Sequence, residues 1–166
     1  GTEICAAFKN FFALAIGAPL GMLDEAEPAV NEARMHNLAA ALFNQSVLEL
    51  GRLNSGLGGR PETVHGLAGV GDLYVTVQGG RNSRMGRLLG AGWTYATAKA
   101  ERMADDTVEG AELALAVGPT FDAMLGDGRL TADDLPLTRA IMRAIRDNEP
   151  LGVPWNDFHR PQQKDR

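Results

Sequence analysis

The chain has 166 residues, of which 45% are hydrophobic and 22% charged, and it carries a net charge of −5. This composition predicts one globular domain with its own core, and the acidic excess excludes a nucleic-acid-binding surface, which needs clustered cations. Cys5 is the only cysteine and the histidines His36, His65 and His159 are far apart, so we expect no disulfide, no metal site and a cytoplasmic location.

The first predicted element is a helix from about Glu3 to Ile16, because apolar residues recur on one face at helical spacing. The apolar run from Phe11 to Leu23 has the length of the hydrophobic region of a signal peptide, but Glu3 lies upstream of it. It is too short to cross a bilayer. We therefore interpret it as part of a core helix and expect no membrane span.

Helical periodicity recurs along the rest of the chain, and no alternating run of residues predicts a strand. A long helix is expected to open at Pro28 and to end in the glycine-rich stretch 54–60, and Pro61 is expected to start a short one. Two further short helices should meet at Gly79 and Gly80. The predicted fold class is all-α.

The C-terminal half continues this helical pattern. Thr94 is predicted to cap one helix, Asp106 or Thr107 to open the next, and a polar loop to precede the last. We expect residues 1–150 to form the helical domain and residues 151–166 to form a loosely ordered tail.

The glycine cluster from Gly66 to Gly71, GLAGVG, does not match a dinucleotide-binding fingerprint. Its glycines are in a different order, no predicted strand precedes it, and no acidic residue follows at the distance needed to hold a ribose. We therefore expect that this cluster does not bind a dinucleotide by itself.

A group of polar residues surrounds the glycine pair. Asp72 and Thr76 are four positions apart, so they share one face of a helix. Behind the glycines, Arg81 and the first amides of a new helix form an arrangement that can hold a phosphate or a carboxylate. The alternative interpretation is an aspartate at a helix start, a buried threonine and a solvated arginine.

Lys9 is a second candidate, at the edge of the apolar face of the first helix. Desolvation favours the neutral amine of such a lysine, which can then transfer protons near neutral pH. The alternative is that its aliphatic stem lies along the core edge while its ammonium group reaches water.

Four blocks of sequence share an order and spacing that identify a family: EICAAFKN at 3–10, PETVHGLAGVGDL at 61–73, GGRN at 79–82 and VEGAELA at 108–114. Together they resemble the C-terminal domain of NAD(P)-dependent sn-glycerol-3-phosphate dehydrogenases, up to about residue 150. The resemblance implies a helical bundle of the 6-phosphogluconate dehydrogenase C-terminal-domain type, without the Rossmann domain.

The resemblance also implies a function. Such an enzyme interconverts sn-glycerol 3-phosphate and dihydroxyacetone phosphate with NAD or NADP, and it supplies a precursor of phospholipids. The implied partners are the phosphorylated substrate, the protein's own N-terminal Rossmann domain and a second copy in a cytoplasmic homodimer. Because hydride transfer needs both domains, this chain alone is expected to be inactive.

The resemblance assigns catalytic roles to three residues. Lys9 would transfer the proton of the C2 hydroxyl, with Asn10 beside it binding the substrate and orienting the lysine. Asp72 and Thr76 would lie near the glycerol hydroxyls.

The remaining implied roles concern binding. Arg81 and Asn82 would grip the substrate phosphate beside Gly80, which stands where many bacterial members have serine. Arg81 would also lie near the cofactor, together with Thr107 and Glu109.

Two positions depart from the family pattern. Asn37 matches, but Ala39 replaces a basic residue, and Gln45 stands where the family has arginine. Loss of these cations could change the substrate, shift the cofactor preference, or reflect a rearranged salt-bridge network. Two functional alternatives follow: a relative that acts on another phosphorylated or carboxylated 2-hydroxy compound, and a non-catalytic helical dimerisation module.

Overall fold

The computed structural model describes residues 1–23 and 28–158, and of residues 28–33 it describes the backbone alone. No strand occurs in these ranges, which confirms the all-α class. The α-helices are α1 (Thr2–Gly17), α2 (Pro19–Met22), α3 (Pro28–Gly56), α4 (Pro61–His65), α5 (Asp72–Val77), α6 (Arg81–Gly90), α7 (Tyr95–Arg102), α8 (Glu109–Gly126) and α9 (Pro136–Arg146). A π-helical turn (Leu67–Gly71) precedes α5, and short 3₁₀ turns occupy Ala132–Asp134 and Trp155–Asp157.

Helix α1 is the centre of the fold. Its side chains Phe8, Phe11, Phe12 and Leu14 are buried, and the rings of Phe11 and Phe12 meet edge to face at 5.3 Å. Helices α3, α5, α6 and α8 all pack against it. Burial of each such side chain contributes about 1.5–3 kcal/mol. Residues at the edge of this buried face, Lys9 among them, are therefore held in a fixed position relative to the surrounding helices.

The apolar N-terminal segment is longer than predicted. The stretch Thr2–Met22 is continuous enough and apolar enough, with a mean hydropathy of 1.5, to cross a membrane by length and composition alone. The run from Phe11 to Leu23, on which the sequence prediction rests, is only part of this stretch, and the expectation of no membrane span stays a prediction. In this structure 61% of the apolar 18-residue window of this stretch is buried inside the protein, as expected of a central core helix.

Helix α6 lies directly against α1 and α2 because glycines line the contact. A Cβ atom added at Gly86 would lie 2.1 Å from the carbonyl oxygen of Leu14, and one at Gly90 would lie 2.0 Å from that of Ala18. Side chains cannot fit at these points, so backbone packs on backbone. This close contact sets the position of the first turn of α6 relative to α1.

Helix α8 does not begin where a local cap was predicted. It starts at Glu109, and Val108, a residue with no side-chain acceptor, occupies the N-cap position instead of Asp106 or Thr107. The acceptor comes from another helix: Oδ1 of Asn82 accepts a hydrogen bond of 2.9 Å from the main-chain N–H of Gly110. Asn82 on α6 therefore caps α8, a role that the sequence predicted for Asp106 or Thr107 directly before this helix.

Helix α9 is capped in the same way by Glu49 of α3. The fully buried carboxylate accepts hydrogen bonds from the main-chain N–H groups of Leu137 and Thr138 at 2.8 and 2.6 Å. It also accepts one from the Thr138 hydroxyl at 2.6 Å and one from Nε2 of Gln45 at 2.7 Å. Gln45 is itself buried, so the position where the family has arginine belongs to an internal network that anchors α9.

The Glu49 network predicts a pH-dependent contribution to stability. Burial raises the pKa of the Glu49 carboxyl above its ordinary value of 4.5, although the hydrogen bonds from Gln45 and Thr138 oppose this. The native state therefore binds this proton more tightly than the unfolded state does. The stability contributed by Glu49 is complete below pH 4.5 and is lost as the pH rises through the raised pKa.

We expect the free energy of unfolding of the native protein, relative to that of Glu49→Gln, to fall as the pH rises from 4 and then to level off. Urea denaturation of both proteins between pH 4 and 8 measures this difference. The glutamine cannot titrate, and its amide places a donor against one backbone donor, which adds a pH-independent cost of about 1–3 kcal/mol. A difference that stays constant across this range contradicts the prediction.

The segment after residue 150 lies partly against the core. Leu151, Val153, Trp155 and Phe158 are half-buried and contact core residues, and the rings of Trp155 and Phe158 meet at 5.6 Å. The predicted loosely ordered tail also includes residues 159–166, which lie outside the described residues. The domain boundary at residue 150 stays a prediction.

Candidate active site

Lys9 and Asp72 form an ion pair at the surface of the bundle. Nζ of Lys9 lies 2.6 Å from Oδ2 of Asp72, and the two side chains are 24% and 38% exposed. Lys9 follows the buried Phe8 on α1, whereas Asp72 opens α5. The pair is therefore accessible to a ligand, and a carboxylate holds the lysine nitrogen in a defined place.

The π-helical turn brings Asp72 to this position. It is built on Gly69, where an added Cβ atom would lie only 2.0 Å from the carbonyl oxygen of Val64. The wider π-helical spacing shifts the direction of the residues that follow, and such turns are frequent at functional sites. The sequence did not predict this turn.

Thr76 shares one half-buried face of α5 with Asp72, as the spacing predicted. Its hydroxyl donates a hydrogen bond of 2.7 Å to the main-chain carbonyl of Asp72. The hydroxyl proton is thereby engaged, and the oxygen keeps its lone pairs. Thr76 can therefore accept a hydrogen bond from a ligand hydroxyl.

The glycine pair makes the turn between α5 and α6 that the sequence predicted. Gly80 occupies the N-cap of α6 with a φ of 97°, a conformation that residues with a Cβ atom rarely adopt. The first hydrogen bond within this helix runs from Arg84 N to Gly80 O, at 3.0 Å. The N–H groups of the preceding residues, Arg81 to Ser83, have no acceptor within the helix and attract anions.

Glu109 binds the first two side chains of α6. One of its carboxylate oxygens pairs with Nη2 of Arg81, and the other accepts a hydrogen bond of 3.2 Å from Nδ2 of Asn82. Asn82 is buried and its Oδ1 caps α8, so both ends of its amide are engaged. Arg81 and Glu109 are 50% and 39% exposed. The arginine therefore stays within reach of a ligand.

Gly110 connects the two groups of side chains. Its Cβ position, if filled, would lie 2.3 Å from the main-chain oxygen of Asn10, next to Lys9. Its N–H is bound by Asn82. The N-terminus of α8 thus touches α1 at the residue after Lys9 and α6 at the residue after Arg81. Thr107 is exposed two residues before Glu109.

The structure thus groups the predicted site residues, but several of their contacts were not foreseen. The ion pairs of Lys9 with Asp72 and of Arg81 with Glu109 join residues 63 and 28 positions apart, which no local pattern reveals. Of the two departures from the family pattern, Gln45 contacts the buried Glu49, and Ala39 packs against the core from a half-buried position. Asn37 is exposed.

In the part of the chain that the structure describes, an all-α domain carries a lysine–carboxylate pair between α1 and α5 and an arginine at the start of α6. Residues 1–153 match the family model described as NAD-dependent glycerol-3-phosphate dehydrogenase C-terminus. The chain belongs to this family.

Similar proteins agree with this membership. The chain is 32% identical over 163 residues to a glycerol-3-phosphate dehydrogenase [NAD(P)+] of Leuconostoc citreum, covering 95% of the chain and 42% of the relative. It is 37% identical over 112 residues to an NADP(+)-dependent glycerol-3-phosphate dehydrogenase of Archaeoglobus fulgidus, covering 66% of the chain and 32% of the relative.

Two solved structures resemble the fold. Glycerol-3-phosphate dehydrogenase from Coxiella burnetii superposes with a TM-score of 0.65 at 27% identity, covering 95% of the chain and 42% of that protein. The enzyme from Saccharomyces cerevisiae gives a TM-score of 0.70 at 23% identity, covering 96% and 42%, and supports the fold alone. The chain therefore spans less than half the length of the relatives it matches.

Proposed function

We propose that this chain is the substrate-binding and proton-transfer domain of an enzyme that interconverts sn-glycerol 3-phosphate and dihydroxyacetone phosphate. The observation that supports the proposal best is the joint placement of the Lys9–Asp72 pair and the Arg81-bearing N-terminus of α6 beside the start of α8. Lys9 provides a proton donor, and the start of α6 provides an anion site. The reduction of a phosphorylated ketone requires both.

Lys9 moves the proton in the proposed reaction. As an ammonium group it donates a proton to the carbonyl oxygen of dihydroxyacetone phosphate, and in the reverse direction its amine takes the proton of the C2 hydroxyl. Asp72 holds Nζ in place and stabilises its positive charge. Thr76 accepts a hydrogen bond from a neighbouring hydroxyl of the substrate, and Asn10 orients Lys9.

The substrate phosphate binds at the start of α6. Arg81 contributes a planar guanidinium that can make two parallel bonds to phosphate oxygens, and the unpaired N–H groups of the first turn contribute further donors. The positive φ of Gly80 sets the turn from which this helix starts. An added Cβ atom at either Gly79 or Gly80 would meet nothing within 4 Å, so the approach to them is open.

Arg81, Glu109 and Thr107 fit the rim of a nicotinamide cofactor site. All three carry polar groups that are exposed or half-exposed and that suit the hydroxyl and phosphate groups of a dinucleotide. When bound, NAD or NADP accepts or supplies the hydride. The nucleotide portion would be held by a Rossmann domain, which the relatives' additional length can accommodate, and this chain alone should not turn over substrate.

We also infer that the whole protein is a cytoplasmic homodimer that supplies sn-glycerol 3-phosphate for phospholipid synthesis. This inference rests on the family resemblance, and the lone buried Cys5 suits a reducing compartment. Light scattering of the purified full-length protein measures its oligomeric state.

The proposed reaction predicts that the full-length protein oxidises NADH or NADPH when dihydroxyacetone phosphate is added, and far more slowly when unphosphorylated dihydroxyacetone is added at the same concentration. Absorbance of the reduced nicotinamide measures the rate. Phosphorylated and carboxylated 2-hydroxy compounds are tested in the oxidative direction. Faster oxidation of one of these than of sn-glycerol 3-phosphate would replace the proposed substrate.

A further inference from the structure

Glu109 makes a contact that the proposed reaction does not explain. Its two carboxylate oxygens bind two consecutive side chains of α6, Arg81 and Asn82. Asn82 is buried and holds α8 through Gly110, so this half of the contact is structural. Arg81 is half-exposed, and its guanidinium is the group that the proposed function assigns to the substrate phosphate.

The charges of the site cancel in the absence of substrate. Arg81 is paired with Glu109, and Lys9 is paired with Asp72. A phosphate dianion that approaches Arg81 therefore meets a nearby carboxylate as well as the guanidinium. The negative charge of the Glu109 carboxylate repels the phosphate and so weakens its binding to Arg81.

The Arg81–Glu109 contact is also easy to exchange. Half-exposed ion pairs contribute little net stability, since water solvates both groups when they separate. A phosphate offers three oxygens and a higher charge, so it forms stronger charged hydrogen bonds with a guanidinium than one carboxylate oxygen does. Glu109 has a second partner besides Arg81, because its other carboxylate oxygen accepts a hydrogen bond from Nδ2 of Asn82.

We propose that Glu109 is an internal competitor of the substrate phosphate: it occupies Arg81 in the unliganded protein, and the phosphate displaces it. This inference rests on the proposed function, because it takes Arg81 to be the phosphate ligand. Glu109 is then a residue that sets the affinity of the site through Arg81, and it returns to Arg81 when the product leaves.

The variants Glu109→Gln and Glu109→Ala test the competition. Titration of this chain with inorganic phosphate at fixed ionic strength, followed by calorimetry, should show binding about tenfold tighter for both variants than for the native chain, because one nearby negative charge is gone. A merely structural role for Glu109 would move the affinity the other way, since loss of its contacts would disorder Arg81 and Asn82. Thermal unfolding of each variant reports whether it is folded.

Asp106→Asn is the matched control. Asp106 pairs at 3.1 Å with Arg84, which lies on α6 about one turn after Arg81. Asp106→Asn removes one negative charge, as Glu109→Gln does. Phosphate affinity should change less than about twofold in this control, because exposed charges at a distance are screened by salt. A gain as large as that of Glu109→Gln would attribute the effect to net charge and would overturn the competition.

The double variant Arg81→Ala with Glu109→Gln separates the two proposals. It should lose the gained affinity, because the guanidinium is the shared target. If phosphate binding depends on Arg81 but is unchanged or weaker in both Glu109 variants, the competition is overturned and the proposed phosphate site stands. Phosphate binding that does not depend on Arg81 in any variant overturns the proposed phosphate site, and the competition with it.

Discussion

Replacing Lys9 with alanine in the full-length enzyme is expected to lower kcat by about two to four orders of magnitude, the range for loss of a general acid or base. The cause is the loss of the only group that the proposed reaction uses to protonate the carbonyl oxygen. Cofactor binding should change little, because Lys9 pairs with Asp72 and not with the rim residues Arg81 and Glu109. Steady-state kinetics with dihydroxyacetone phosphate measure kcat, and fluorescence titration measures cofactor affinity.

Two further variants separate proton transfer from structure. Lys9→Arg keeps a positive charge next to Asp72, but a guanidinium does not give up its proton, so kcat should stay as low as in Lys9→Ala. Lys99→Ala removes a lysine that binds the main-chain carbonyls of Met103 and Ala104 after the end of α7, and it should leave kcat unchanged. Recovery of turnover in Lys9→Arg would remove Lys9 from proton transfer and leave it a structural cation.

The helix ends that the sequence predicted well are those with local causes. Pro28 and Pro61 start α3 and α4 because proline suits the first helical turn, and the glycine pair at 79–80 separates α5 from α6 because Gly80 takes a positive φ. These residues act through their own backbone. Their effect is therefore readable without the rest of the fold.

The caps of α8 and α9 were not predicted because they are distant in sequence. Asn82 caps α8 across 28 positions, and Glu49 caps α9 across 88 and 89 positions. At the N-cap positions themselves stand Val108 and Leu135, which carry no acceptor. A local search for a capping side chain therefore chose Asp106 or Thr107, whereas Asp106 pairs with Arg84.

In the candidate site, too, the features with local causes were predicted and those that depend on tertiary contacts were not. The spacing of Asp72 and Thr76 correctly predicted one helix face, and the family resemblance selected Lys9, Arg81 and Glu109. The ion pairs between them depend on the π-helical turn before α5 and on the contact of Gly110 with α1, which are tertiary features. Which charges neutralise one another could therefore be learned only from the folded structure.

The arginine at the start of α6 is the second residue whose loss should have a large effect. In the full-length enzyme, Arg81→Ala is expected to lower kcat/KM for sn-glycerol 3-phosphate by about one to two orders of magnitude, because a hydrogen bond to a charged group contributes about 1.5–3 kcal/mol. Any residual turnover of unphosphorylated glycerol should fall far less. Arg81→Lys should restore only part of the loss, since an ammonium keeps the charge but not the planar fork that makes two parallel bonds.

Arg84→Ala is the matched control for this prediction. Arg84 lies three positions further on the same helix, and its guanidinium binds Asp106 and the main-chain carbonyl of Arg102 at 3.1 and 2.9 Å, not the candidate phosphate site. Its loss should leave the ratio of kcat/KM values for the phosphorylated and unphosphorylated substrates unchanged, when both are measured at fixed ionic strength because salt screens charged contacts. If Arg81→Ala lowers both values equally, the guanidinium does not bind phosphate, and the glycine pair is only a break between two helices.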